Sequence, residues 1–198
     1  MESVLIFIKH HFGFLWKIIE GINDLLFYFL YSKRIKKTVP DVFKEFSGNK
    51  KVKVLNRSDV NDLYKLINSQ DPDDLKYFQP HGFDFNSLKK QAAKRSFLMM
   101  GIYEGDKLTG YFFLRFFFNG KCFVGRLIDK EHRGKGLGNI MNDIMYNIAW
   151  RMNFRCLSTI SKHNKAVVGA HKKNSHMKIL KELPDDYLLV EFVESSLQ

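Results

Sequence analysis

The residues best equipped for chemistry lie at Glu131-His132-Arg133-Gly134-Lys135-Gly136-Leu137-Gly138. Downstream, Ile140, Met141, Ile144, Met145, Ile148 and Ala149 recur at three- and four-residue intervals, the spacing of one buried helical face. The glycines therefore sit where a helix begins. Glycine reaches backbone angles closed to other residues and lets a ligand approach the main chain. The first N–H groups of a helix have no internal acceptor, and the macrodipole is positive there. Such a start holds phosphate, and Arg133 and Lys135 add formal charge. Each glycine costs a helix about 1 kcal/mol relative to alanine, so a cluster of them implies a return. The segment is not a nucleoside-triphosphate P-loop, which needs a longer spacing and a Gly-Lys-Ser/Thr ending. Nor is it the dinucleotide fingerprint, because the third glycine arrives one residue early.

A second reactive stretch is Tyr77-Phe78-Gln79-Pro80-His81-Gly82-Phe83-Asp84. Its aromatic faces suit a sugar ring, and His81 or Asp84 could accept a proton from an incoming nucleophile. The alternative is a loop anchored by Phe78 and Phe83 with His81 at the surface. His132 and His176 carry no assignable role. Cys122 and Cys156 are the only cysteines, and no paired Cys, His or carboxylate spacing suggests a metal. Neither a disulfide framework nor a zinc site can be built from two cysteines, and a reducing compartment is expected.

The elements that must position these residues are legible as alternating strand and helix signals. Lys51–Leu55 is β-rich, and Ser58 is placed to cap a helix over Asp59–Asn68. Asp71–Asp84 is a loop broken by Pro72, Pro80 and Gly82, and Asn86–Arg95 is helical. Phe97–Tyr103, Leu108–Phe118 and Phe123–Asp129 form an antiparallel meander with Asn119-Gly120 as a tight hairpin turn. After the glycine loop come a helix to about Met152, a strand at Arg155–Ile160, a helix at Asn164–Lys173, and a closing hairpin of Ile179–Leu183 and Tyr187–Phe192. Neither a repeat nor a low-complexity tract interrupts this order.

Arg133-Gly134-Lys135-Gly136-Leu137-Gly138, set between that meander and that helix, resembles the acyl-CoA signature of the GNAT superfamily of N-acyltransferases, Arg/Gln-x-x-Gly-x-Gly/Ala. The resemblance spans roughly Lys51 to Phe192. It implies an α/β (α+β) fold: a mixed central sheet with an antiparallel meander, then splayed strands and flanking helices. It also implies acetyl-CoA as co-substrate and a primary amine of a small molecule as acceptor. By position, the amides of Arg133, Gly134, Lys135, Gly136, Leu137 and Gly138 would hold the CoA diphosphate. Arg126, Leu127 and Ile128 would pair with the pantetheine arm, and an N–H there would polarise the thioester carbonyl. Gly125 is suited to a bulge that opens the strands, or else relieves crowding among phenylalanines. Asn164 sits where members often carry an Asn near the pantetheine. His171 stands where many have the Tyr that protonates the departing thiolate. The Tyr77–Asp84 loop falls where the family places acceptor contacts. Its style points to an amino sugar of surface polysaccharide biosynthesis.

The first 31 residues stand apart from this resemblance. They are dense in Leu, Ile, Phe and Trp, with a narrow polar stripe at helical spacing that includes Lys17, Glu20 and Asp24. Those charges make a poor transmembrane span. Lys33, Arg34, Lys36 and Lys37 follow, so residues 1–37 fit either an anionic membrane surface or docking on the domain or a second subunit. Pro40–Lys50 reads as a linker, giving a boundary between 1–50 and 51–198. No signal peptide is evident, which suggests a cytoplasmic chain, peripheral to the inner membrane face if the helix lies on lipid. The net charge of +11 is concentrated: residues 131–181 hold ten Lys or Arg against Glu131 and Asp143. Such a field draws a polyanion. A membrane-surface or nucleic-acid-binding protein that keeps the fold without catalysis is therefore the competing class. No nucleic acid is expected, since runs such as Phe116-Phe117-Phe118 look like buried strand rather than a stacking platform.

Overall fold

The computed structural model describes residues 13–171 and 174–194; the side chains of residues 13–16, 166, 170 and 171 fall outside that description. Thirteen elements follow in order: α1 (Gly13–Phe46), β1 (Lys51–Val54), α2 (Val60–Asn68), α3 (Pro72–Leu75), α4 (Phe85–Gln91), β2 (Phe97–Glu104), β3 (Lys107–Phe117), β4 (Lys121–Ile128), α5 (Leu137–Arg151), β5 (Arg155–Ser161), α6 (Lys165–His171), β6 (Met177–Leu183) and β7 (Tyr187–Phe192). The strands form one seven-stranded sheet in the order β1-β2-β3-β4-β5-β7-β6. Every neighbouring pair is antiparallel except β4 and β5, which α5 joins as a parallel crossover.

Both faces of the meander are buried, which explains its unbroken apolar runs. On one face Phe112, Leu114, Phe116, Cys122 and Val124 pack with Met141, Ile144, Met145 and Ile148 of α5 and with Phe27, Val39 and Val42 of α1. On the other, Tyr111, Phe113 and Leu127 pack with Val60, Leu63 and Ile67 of α2 and Leu88 of α4. Of the expected buried run, Phe116 lies in this core, whereas Phe117 is half-buried and Phe118 is 47% exposed beyond the end of β3.

Three local expectations are corrected. The cap before α2 is Asn56, not Ser58: Asn56 accepts from Ser58 N while Asp59 accepts from Asn56 N, a capping box around the short turn Arg57–Asp59. The bulge lies between Ile102 and Tyr103 in the β2–β3 pairing, whereas Gly125 keeps regular register with Phe113. A Cβ at Gly125 would come 2.7 Å from the Phe113 ring, so the glycine makes room for that phenylalanine. Finally, α1 runs through Pro40 to Phe46, leaving only Ser47–Lys50 as a connection.

An interior proline removes one helix hydrogen bond and disfavours the preceding turn. Burial of Val39 and Val42 on either side offsets that cost. From Glu20 to Asp24 the polar stripe of α1 faces inward, while Lys17 is exposed. Glu20 pairs with Lys94 and Arg115 at 2.8 Å each. Asn23 bonds both the Phe116 carbonyl and the Phe118 N–H, and Asp24 accepts from Ser96 N and Oγ. The same helix leaves Ile22 51%, Leu25 50%, Phe29 72% and Leu30 61% exposed. The helix expected from the first residues lies, as far as Phe12, outside the described residues.

Candidate functional site

The glycine loop is anchored from below and open above. Asp129 is buried and accepts from Glu131 N at the start of the turn Lys130–His132. Lys107 Nζ lies 2.8 Å from that carboxylate. Burial pushes the Asp129 carboxyl up, but the Lys107 ammonium and the Glu131 N–H outweigh it and hold it below the usual carboxylate range. Asp129, Glu131 and His132 lie close enough together to hold a metal ion. The Lys107 ammonium already bonds both carboxylates, reaching Glu131 at 3.1 Å, and the His132 ring reaches Glu104 at 2.9 Å, so all three groups have protein partners.

Past this anchor the chain turns through Gly134 (φ +74°) and Gly136 (φ +81°). A side chain at either position would meet open space, so the left-handed backbone is the reason for glycine there. Gly136 takes the N-cap position of α5 and offers no side-chain cap. Its carbonyl accepts from Asn139 and Ile140. Among the described residues, the N–H groups from Arg133 to Gly138 donate to no protein acceptor. They form a row at the positive end of a 15-residue helix, exposed from Arg133 to Gly136.

Arg133 contributes main chain rather than charge. Its guanidinium donates to Ile128 O (3.3 Å), Gln70 Oε1 (3.2 Å) and Asp74 Oδ2 (2.9 Å). It therefore ties the loop to α3 and does not reach over the amides. Lys135 is exposed.

Beside the loop the sheet opens. β4 and β5 pair at three positions only, Lys121↔Arg155, Cys122↔Cys156 and Phe123↔Leu157. Beyond them β5 continues against β7. Ser158 Oγ donates to the Val124 carbonyl at 3.1 Å where the strands part. Backbone direction alternates along a strand. Asp129 N donates to Thr109 O toward β3, so Gly125 and Leu127 share that side while Arg126 and Ile128 face the opening. Of the three residues expected to meet a pantetheine arm, Leu127 uses its main chain for β3 and buries its side chain in the core beneath α2.

Across the opening, Asn164 Oδ1 accepts from Val167 N at 3.1 Å and caps α6. The carboxamide oxygen thus has a structural task. His171 ends α6, and its side chain lies outside the described residues.

The Tyr77–Asp84 loop packs on the opposite face of the sheet. Phe78 lies against Phe83, Tyr111 and Phe113. His81 sits edge-on to Phe83 and Phe97. Its Nδ1–H donates to Gly82 O (2.9 Å), leaving Nε2 to accept from the Tyr111 hydroxyl (2.7 Å). Burial lowers its pKa, helped by Lys94 and Arg115 and resisted by the Gly82 contact. The ring is neutral, with its lone pair committed to a buried tyrosine. Asp84 is exposed and caps α4 by accepting from Ser87 N at 2.9 Å. The Ser87 contacts hold its carboxyl below the usual range.

Sequence reasoning missed Tyr111, which reads there as core, and the side chains of Asn142 and Tyr146. Asn142 and Tyr146 follow Gly138 at four-residue steps, which places all three along one line of α5.

No protein-family model matches the chain, and no curated protein is similar to it in sequence. Solved structures share its fold. The GNAT domain of an S. lividans protein, PAT, superposes with a TM-score of 0.63 at 12% identity, over 72% of this chain and 89% of that one. The PaiA N-acetyltransferase of Thermoplasma acidophilum, in complex with coenzyme A, gives 0.62 at 13% identity, over 74% and 99%. An aminoglycoside acetyltransferase in complex with coenzyme A and kanamycin gives 0.58 at 12%, over 75% and 96%. The chain has the GNAT N-acyltransferase fold.

Proposed function

We propose that the chain is an acyl-CoA-dependent N-acyltransferase that moves an acetyl group from acetyl-CoA to a primary amine of a small molecule. One observation carries the reading: the unpaired amides from Arg133 to Gly138 lie beside the gap where β4 leaves β5. A diphosphate at the amides and an extended thioester arm in the gap would satisfy both sets of main-chain groups. The Arg126 N–H faces that gap and would stabilise the thioester oxyanion. A neutral amine attacks the carbonyl carbon, the C–N bond forms and the C–S bond breaks. The amine gives up a proton and the coenzyme sulfur gains one. His171 is the proposed donor of that proton.

Two of the similar structures contain coenzyme A, and one contains an aminoglycoside, a polyamine sugar. They support an amine acceptor, with an amino sugar as the finer proposal. His81 and Asp84 remain candidate proton acceptors. Each is engaged in a structural bond, so either would have to exchange it during turnover. Thermal melting tests the donor: coenzyme A and acetyl-CoA should raise the melting temperature, while an oligonucleotide should not. A screen of amino sugars, polyamines and peptides for acetyl-CoA consumption then tests the acceptor. Stabilisation by the oligonucleotide alone would refute the enzyme reading.

A second reading concerns α1. No described helix is long and apolar enough to cross a membrane. The exposed face of α1 carries Ile18, Ile22, Leu25, Leu26, Phe29 and Leu30 in one line, then Lys33, Lys36 and Lys37, while Glu20 and Asp24 are turned inward. Up to Lys37 the exposed charges of this stripe are all positive, with Asp41 and Glu45 exposed only beyond it, and such a stripe fits an anionic bilayer surface. Flotation with anionic vesicles should recover the full chain and lose a Phe29→Glu/Leu30→Glu variant. Equal recovery of the two would remove this partner.

A further inference from the structure

Of the eight arginines, four pair with a carboxylate, and Arg34, Arg57 and Arg95 are exposed to solvent. Arg115 pairs with Glu20, Arg133 with Asp74, Arg151 with Glu45 and Arg155 with Glu191. Arg126 differs. Its side chain leaves β4 toward α5, where Nη1 donates to Asn142 Oδ1 and the Tyr146 hydroxyl is the other polar neighbour. Asn174 Nδ2–H donates to that hydroxyl at 3.1 Å and holds it. No carboxylate lies within ion-pair distance of Arg126 among the described residues, and burial lowers its pKa. An arginine nonetheless keeps its charge at neutral pH. A half-buried cation facing only neutral dipoles is an unfavourable arrangement unless an anion arrives to complete it.

The position of the guanidinium says where that anion would sit. A Cβ built on Gly138 would lie 3.4 Å from Arg126 Nε and 3.6 Å from Nη2. The fork therefore touches the first turn of α5 at the residue whose N–H ends the unpaired row, and glycine leaves no side chain between them. Asn142 and Tyr146, one and two turns on, fix the fork from behind. We infer that the Arg126 side chain is the sheet-side counter-ion of the coenzyme diphosphate, completing from below the cradle that the loop amides form from above. This rests on the acyl-CoA reading. It gives Arg126 a second task, since its N–H serves the thioester.

The test compares coenzyme A with a donor that lacks the diphosphate, S-acetyl-pantetheine, on wild type, Arg126→Met, Arg126→Lys and Gly138→Ala. Arg126→Met should melt at or above the wild-type temperature without ligand, because a half-buried charge is gone. Its affinity for coenzyme A should fall about 10- to 100-fold, the loss of one charge-assisted contact. Its use of S-acetyl-pantetheine should fall far less than its affinity for coenzyme A, and Arg126→Lys should lie between wild type and Arg126→Met on the coenzyme A scale. Gly138→Ala should raise the ligand-free melting temperature, as alanine favours a helix, yet weaken coenzyme A by covering the fork. This second variant keeps the test decisive even if Arg126→Met fails to fold. Wild-type affinity in Arg126→Met, or an equal loss for both donors with a lower melting temperature, would overturn the inference and leave the acyl-CoA reading standing. A wild type that binds neither donor would overturn both.

Discussion

Two loops flank the proposed reaction path, and they are built in opposite ways. From Arg133 to Gly136 the chain is exposed and turns through two left-handed glycines, and as far as Gly138 it leaves its N–H groups unanswered. From Tyr77 to Asp84 the polar groups of note have partners: His81 with Tyr111 and Gly82, Asp84 with Ser87. An open row of donors on a rigid base is organised for a ligand before the ligand arrives, which is how affinity survives the cost of ordering. A satisfied loop must exchange bonds to act. The donor side therefore looks ready-made, and the acceptor side conditional. The contrast agrees with a common donor chemistry serving many acceptors on one fold.

Breaking the donor side should have the largest effect. Gly136→Ala places a Cβ on a residue at φ +81°, which costs about 1–2 kcal/mol. Relaxation would swing the neighbouring amides out of line. Turnover with acetyl-CoA should fall about 100-fold or more, the scale of a small misplacement of positioning groups. Circular dichroism should remain native. A near-native rate would mean that the amides are not the binding device.

A change beneath the acceptor loop should cost stability instead. Gly125→Ala would drive a methyl to within 2.7 Å of Phe113, which itself stacks on Phe97 and supports Phe78. Overpacking of this kind costs about 1–3 kcal/mol, readable as a lowered denaturant midpoint. Coenzyme affinity should be nearly unaffected, because Gly125 faces away from the gap. Loss of coenzyme binding with unchanged stability would reverse the assignment of the two sides.

The same contrast explains what could be read from residues alone. The meander, the crossover helix and the glycine loop announce themselves through periodicity and through residues with few alternative uses. Partner choice does not. Nothing in the order of residues says that Arg133 would find Asp74, that Asn164 and Asp84 would spend an oxygen on capping, or that Arg126 would find no acid. Those outcomes depend on contacts between distant segments. The linker expected after Pro40 fails for the same reason. Local propensity argues against helix there, and the burial of Val39 and Val42 against the sheet overrides it. Likewise the polar stripe of α1 is visible in the chain, but its inward direction is set by Arg115, Lys94 and Ser96. Asn56 and Asp59 were legible as a capping box three residues apart; Ser58 simply lies nearer the apolar run.

The smallest effect concerns pH and sharpens the idea that the acceptor loop is a satisfied structure. His81 is held neutral, with its pKa below the ordinary value of 6.5, chiefly by burial. When the folded pKa is depressed, the unfolded chain binds the extra proton first, and stability falls as pH drops below about 6.5 toward the folded pKa. The loss arises because protonation would put a donor on Nε2 opposite the Tyr111 hydroxyl, beside Lys94 and Arg115. His81→Gln cannot take up a proton, so its melting temperature should decline less than that of the wild type between pH 7 and pH 5. Carboxylates elsewhere titrate in both proteins and cancel in the difference. Parallel curves would mean that His81 is free to protonate in the folded loop. Its bond to Tyr111 would then be loose enough for direct work on the acceptor amine, and the acceptor side would be as open as the donor side.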